Sequence, residues 1–387
     1  MARILVLGGA GEMGSVAVRD LVEHTDHEVV IADLRPDAAE ALANSLVSSR
    51  VSTRAVDVED DRSLREAMTG VDTVLNATYM RWNVQVTPVA IGAGVHLVDL
   101  GAYVADTADQ LAMDEQARQA GCRIVPGCGV APGLTNVLAA HGARQLDQVE
   151  SIRIYSYITH PITTSPGIVY TRFDASRGVS LVYRDGRLEE HPSFGEEEEV
   201  EFPPPYGTQL VHLVPHPEPL TLPKYLDVQN VVFKVGYPEE DTRLLRALLE
   251  LGLDSADPFP FAGTEIVPRD FVAAFVGRRG LEGRRTTNVK RVIVEGDAGG
   301  ERTTLVYDFA CEAVEGSASS VITGTVAAIT ADLVTLGGTP GVRPPEAAFD
   351  PAESLEALSQ RRLGVERRLT VGVNDAPARP VADASHR

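Results

Sequence analysis

Val6-Leu7-Gly8-Gly9-Ala10-Gly11-Glu12-Met13-Gly14 decides how this chain folds. The apolar run Arg3 to Leu7 leads into it, and Gly9, Gly11 and Gly14 stand at the GxGxxG spacing. A helical pattern follows from Ser15 to His24, with Val16, Val18, Leu21 and Val22 at its apolar positions. The physical reading is a strand, a tight turn and a helix whose amino end receives a pyrophosphate. Gly9 permits the turn, Gly11 lets backbone approach phosphate, and Gly14 lets helix and strand pack closely. A second run, Glu28 to Ala32, ends in Asp33, about 20 residues on, where a carboxylate meets an adenosine ribose. A structural glycine turn is the alternative, and the flanking strand, helix and acid favour the dinucleotide.

Outward from this motif, apolar runs and helical stretches alternate to about Val130, the rhythm of a parallel sheet. Helices are expected at Ala38–Leu46, Asp61–Met68, Val84–Gly94 and Ala105–Gly121, and strands at Val51–Val56, Asp72–Leu75, Val95–Leu100 and Arg123–Pro126. The strand ends carry the candidate ligands. Glu12 and Met13 lie in the glycine turn, and Arg35 follows Asp33. Asp57 and Val58 stand where an adenine ring is contacted, with helix capping the alternative for Asp57. Asn76, Ala77 and Tyr79 end the fourth strand, and Asp99 the fifth, at the edge where open α/β sheets bind ligands. Tyr79 either orients an amine or packs as an aromatic, and Asp99 either holds a cation or forms a turn. Gly127 to Gly133 makes a second glycine-rich turn that opens a helix, Leu134–Arg144; it either faces ligand or crosses between domains.

Beyond Asp147 the texture becomes mixed α+β. Asp185-Gly186 signals a hairpin, and Lys290–Glu295 and Thr303–Phe309 read as antiparallel strands about a glycine turn. The acidic run Glu196–Glu199 and Pro203–Pro205 read as solvated loop. A helix Ser319–Leu336 returns towards the first domain, and the end from about Gly364 reads as disordered.

The chain has 387 residues, enough for two domains, and a formal charge of −20, which argues against nucleic acid or anionic membrane as partner. No apolar run approaches a bilayer span, and Met1-Ala2-Arg3-Ile4 enters the first strand at once, so a cytoplasmic location is expected. Cys122, Cys128 and Cys311 have no metal-site spacing, and Pro215 and Pro217 prevent His212 and His216 from sharing a helix face, so no metal is expected. The expected partner is a small molecule.

Several segments resemble the saccharopine dehydrogenase family: the N-terminal fingerprint, Val95–Leu100, Gly129-Val130-Ala131-Pro132-Gly133, Tyr183–Gly186, Thr323-Gly324-Thr325 and Gly341-Val342-Arg343-Pro344-Pro345-Glu346. Within it, Cys128–Asn136 followed by Gln145–Ile152 is most similar to the bacterial L-lysine 6-dehydrogenases. The resemblance implies a Rossmann domain, 1–130, completed by about 318–360. A second α+β domain, 131–317, would bind substrate and form a homodimer, and 364–387 would be a tail. It implies NAD-dependent oxidation of the side-chain amine of L-lysine to allysine, which cyclises to a piperideine carboxylate. Ala131 departs from the aspartate of saccharopine-forming members. Arg177, in Tyr170–Val179, falls on a saccharopine-branch arginine that holds a substrate carboxylate; a surface arginine is the alternative. His216 belongs to a segment near the family's active site. The alternatives are a saccharopine- or carboxyspermidine-type reductase and a non-catalytic NAD-binding protein. Asp33 favours NAD over NADP, while Arg35 is placed to accept a 2′-phosphate.

Overall fold

In β1, Arg3–Leu7, every side chain from Ile4 to Leu7 is fully buried. Such a strand needs cover on both faces and neighbours on both sides, and the rest of the unit supplies them. The computed structural model describes residues 1–101, 103–159, 166–278, 285–314, 316–361, 363 and 365–371. β2 (Glu28–Asp33) and β4 (Thr73–Asn76) flank β1 in parallel; β3 (Val51–Ala55) lies outside β2, and β5 (His96–Asp99) and β6 (Arg123–Val125) lie outside β4. Gly341–Val342 adds to the β6 edge. Among the described residues this makes a seven-stranded parallel sheet, ordered Gly341–Val342, β6, β5, β4, β1, β2, β3. Strand order reverses between β1 and β4, which opens a crevice at their carboxyl ends.

Alternation along the strands sends Leu5, Leu7, Val74 and Leu97 to one core, and Ile4, Val6, Leu75 and Val98 to the other. The second core is closed by α1 (Glu12–His24) and by the helix Ala318–Leu336, through Ala327, Ala328, Ala331 and Val334. That helix corrects the expectation about apolar runs: its 19 residues are long and apolar enough to cross a membrane, yet two-thirds of the run (67%) is buried within the protein. It crosses α1 at Gly324, where a Cβ would lie 2.6 Å from the Met13 carbonyl oxygen.

The chain divides into two units. The first is Met1–Gln145, His216–Asp227 and Ser320–Val365; the second is Leu146–Pro215, Val228–Ser319 and the segment from Glu366. The first compact unit runs to Gln145, beyond the 130 expected for the dinucleotide-binding domain, and includes 216–227. The helix Leu134–Ala143 is apolar nearly all round and is buried against Pro345–Ala348 and Pro351–Gln360, which anchors it there.

In the second unit Gln148–Ile158 pairs in parallel with Val228–Gly236 and antiparallel with Thr286–Ala298. The expected antiparallel pair is longer than its apolar cores, Thr286–Ala298 with Glu301–Ala313. Asp185 and Gly186 (φ 47° and 75°) turn the hairpin between Val179–Arg184 and Arg187–Pro192.

Three further expectations are corrected. The helix read over 105–121 is two, Val104–Leu111 and Asp114–Gln119, and the break lets the Asp114 carboxylate accept the Val342 N–H at 2.9 Å. The acidic run is not all loop: Glu198 starts the strand Glu198–Phe202 and takes Lys234 Nζ and the Tyr155 hydroxyl, each at 2.9 Å. Val365–Val371, read as part of a disordered end, is a strand beside Glu301–Ala313. Residues 372–387 lie outside the described residues.

Candidate active site

The turn after β1 is shaped by what its glycines exclude. A Cβ at Gly9 would meet the Val6 carbonyl oxygen at 2.8 Å, and one at Gly14 the Gly8 carbonyl oxygen at 2.2 Å. At Gly11 the same construction meets only the Gly8 carbonyl oxygen, at 3.0 Å, and otherwise open space. The loop is closed where strand and helix pack and open above the α1 amino end, as a phosphate cradle must be. Asp33, buried at the end of β2, accepts the Ala10 N–H on one oxygen and the Arg35 N–H on the other, both at 3.0 Å. The exposed Arg35 guanidinium lies 3.4 Å from the same carboxylate. Glu12 turns away to Ser320, whose hydroxyl donates to it at 2.7 Å. The cradle and Asp33 fit a nicotinamide dinucleotide: the Gly9–Gly14 turn would hold its phosphates and Asp33 its ribose.

The same sheet edge collects the other expected residues. Asp57 accepts the Glu59 N–H after β3, and Val58 packs on the core with Trp82. Asn76 is buried, donating to Asn83 at 2.9 Å and accepting from the Thr78 hydroxyl at 2.6 Å, so its side chain shapes the turn. Ala77 follows with its N–H on Leu7 and its carbonyl against Gly8. The Tyr79 hydroxyl is 2.7 Å from that of Tyr103, with the rings edge to face.

Asp99 is fully buried. One oxygen accepts the backbone N–H groups of Gly101 and Gly127, at 2.8 and 3.0 Å, and the other accepts from Gln110 at 2.6 Å. Burial pushes its pKa up, opposed by these hydrogen bonds. Its place is that of a clamp between the loops after β5 and β6, so it enters the chemistry below only as scaffold.

The second glycine turn carries a polar cluster on the β6 side of the crevice. Asn136 accepts the Gly133 N–H at 2.9 Å, and its amide donates to Glu346, also at 2.9 Å. Its neighbour Thr135 donates to Glu218 at 2.9 Å, and the other oxygen of Glu218 holds His216 Nδ1. Sequence reasoning reached His216 but missed Glu218, Glu346 and Tyr103. The signals present were acids directly after prolines, His216-Pro217-Glu218 and Pro344-Pro345-Glu346.

Arg177 lies in the second unit, where it pairs with Asp254 and donates to the Leu249 carbonyl.

Fold and cradle together define an oxidoreductase that uses a nicotinamide dinucleotide. The chain matches the saccharopine dehydrogenase NADP binding domain over residues 4–125 and the saccharopine dehydrogenase C-terminal domain over residues 129–363, and it belongs to the saccharopine dehydrogenase family. It is 24% identical over 368 residues to a carboxynorspermidine synthase of Vibrio alginolyticus, covering 84% of this chain and 86% of that one. It is 24% identical over 293 residues to a carboxyaminopropylagmatine dehydrogenase of Synechocystis sp., covering 71% and 72%. The fold is that of the apo saccharopine dehydrogenase (L-Glu forming) of Saccharomyces cerevisiae, with a TM-score of 0.73, 16% identity, and coverage of 96% of this chain and 100% of that one. The protein is an enzyme, an oxidoreductase acting on amine groups.

Proposed function

We propose that this enzyme forms and oxidises a secondary amine: it reduces the imine between a polyamine and a carboxylate-bearing aldehyde, and runs the reverse oxidation. The observation that carries this reading is the His216–Glu218 pair beside the second glycine turn. Carbon–nitrogen redox chemistry moves a proton at nitrogen in either direction. An alkyl ammonium has a pKa of about 10.4, so exposing its lone pair at neutral pH costs roughly 4–5 kcal/mol. An imidazole aimed by a carboxylate takes that proton; in the forming direction it returns a proton to the departing hydroxyl as amine and aldehyde condense. Tyr79 and Tyr103, joined hydroxyl to hydroxyl, orient the nitrogen. A bound nicotinamide supplies or accepts the hydride.

The polyamine is supported by the names of the two relatives above and by the acidity of the chain, formally −20, which draws in polycations. L-Lysine is the second reading. It is favoured by Ala131, which stands where saccharopine-forming members carry an aspartate. A homodimer through the second unit belongs to either reading.

The test is cofactor reduction by the purified full chain with carboxynorspermidine, saccharopine and L-lysine, each with NAD and NADP. A secondary amine turned over at least roughly tenfold faster than L-lysine is expected. The opposite ranking would establish the lysine reading, and silence with all three would overturn both.

A further inference from the structure

Glu346 takes no part in the scheme above, yet the residue that holds it is the chain neighbour of the one that holds the His216–Glu218 pair. Thr135 holds Glu218 and Asn136 holds Glu346, on the first turn of one helix, and Asn136 also fixes the second glycine turn through the Gly133 N–H. Both acids are buried, Glu218 at 0% exposed and Glu346 at 4%. Glu218 is satisfied on both oxygens. Glu346 is not: Oε2 accepts from Asn136, while Oε1 is buried with no hydrogen bond. An ionised carboxylate with one bare oxygen in a buried compartment is far costlier than a neutral acid there.

We propose that Glu346 is a positioning residue for proton transfer: held as a neutral acid beside Glu218, it leaves that carboxylate as the single charge aiming His216. This rests on His216 being the proton carrier. Burial pushes Glu346 up to about 7, opposed by the nearby Thr221 hydroxyl, its own backbone N–H and the Asn136 hydrogen bond, and reinforced by the charge of Glu218. Among the described residues Tyr225 and Cys128 also feel Glu346, and Arg343 and Asp114 lie by Tyr225. Near and above neutrality Glu346 ionises, a second negative charge enters the compartment, and imidazolium at His216 is held more tightly. Proton release from His216 therefore slows as Glu346 loses its own proton.

The test pairs a pH profile with a spectroscopic one, on the full chain. With norspermidine, an amino-acid semialdehyde and NADH, the direction in which His216 gives up its proton, the kcat profile of the unsubstituted enzyme carries an inflection near 7 that Glu346→Gln removes and Glu346→Asp retains; NADH affinity, read by fluorescence, is unchanged in both. Carbon-13 carboxyl spectra of glutamate-labelled protein show the same inflection without any turnover, and in Glu218→Gln it moves to lower pH. Loss of rate in Glu346→Gln with an unaltered profile would make the residue merely structural and overturn the proposal. So would the absence of any glutamate carboxyl titrating near 7. Failure of every amine as substrate would instead count against the function, because the carboxyl titration is read independently of it.

Discussion

Asp33 pins the glycine loop through the Ala10 N–H at the smallest scale, and we propose for it a second duty, holding the ribose of the cofactor. Asp33→Asn keeps an acceptor for Ala10 and removes the charge, so it separates the two duties. Losing a charged hydrogen bond to the ribose costs about 1.5–3 kcal/mol, so NAD affinity should fall roughly 10- to 100-fold while NADP, no longer repelled, gains relative to it. Titration of both cofactors by fluorescence checks this, and an unchanged preference would remove Asp33 from cofactor choice. The glycines and Asp33 were legible in sequence because their roles are local: a Cβ that cannot fit, an acid at a strand end. Glu218 and Glu346 were not legible as site residues. The residues that make them a site, Thr135 and Asn136, lie 83 and 210 residues away in the chain.

Elements show the same division. Strands buried on both faces announce themselves as apolar runs, so β1, β2 and β4 were readable to within a residue or so. The break between Val104–Leu111 and Asp114–Gln119 was not, because it serves the Val342 N–H, contributed 228 residues later. Nor was the strand Glu198–Phe202, whose first acid is paired by Lys234 from a distant strand. One element carries an acid-sensitive group. His212, on the strand Gly207–Leu213, is 1% exposed and stacked at 4.5 Å on Phe194, itself held at φ 63°. Burial lowers its pKa from 6.5 to about 4. The unfolded chain therefore takes up this proton below pH 6.5 while the folded chain does so only near 4, so stability falls as pH drops through that window. Between pH 7 and 5 the loss from this residue should be about 2 kcal/mol. His212→Phe keeps the stack and removes the proton, so its urea midpoint should change less between these pH values than that of the unsubstituted protein. An equal change in both would exclude His212 as the cause.

At the scale of the molecule, a dinucleotide cradle, a carboxylate-aimed histidine and a strongly acidic chain are the features on which we propose amine chemistry with a cationic substrate. Sequence reached the family and the architecture because the fingerprint and the later motifs extend over most of the chain. It did not fix the amine, since substrate choice rests on residues brought together only by folding. The most direct test follows the hydride itself. The full chain is supplied with NADH or NADPH deuterated at C4 of the nicotinamide, norspermidine and an amino-acid semialdehyde, and the product is read by mass spectrometry. The account predicts a carboxylated secondary amine carrying deuterium on the carbon newly bonded to nitrogen. Cofactor that remains unconsumed with every amine and aldehyde pair, or deuterium found at an alcohol carbon instead, would contradict it.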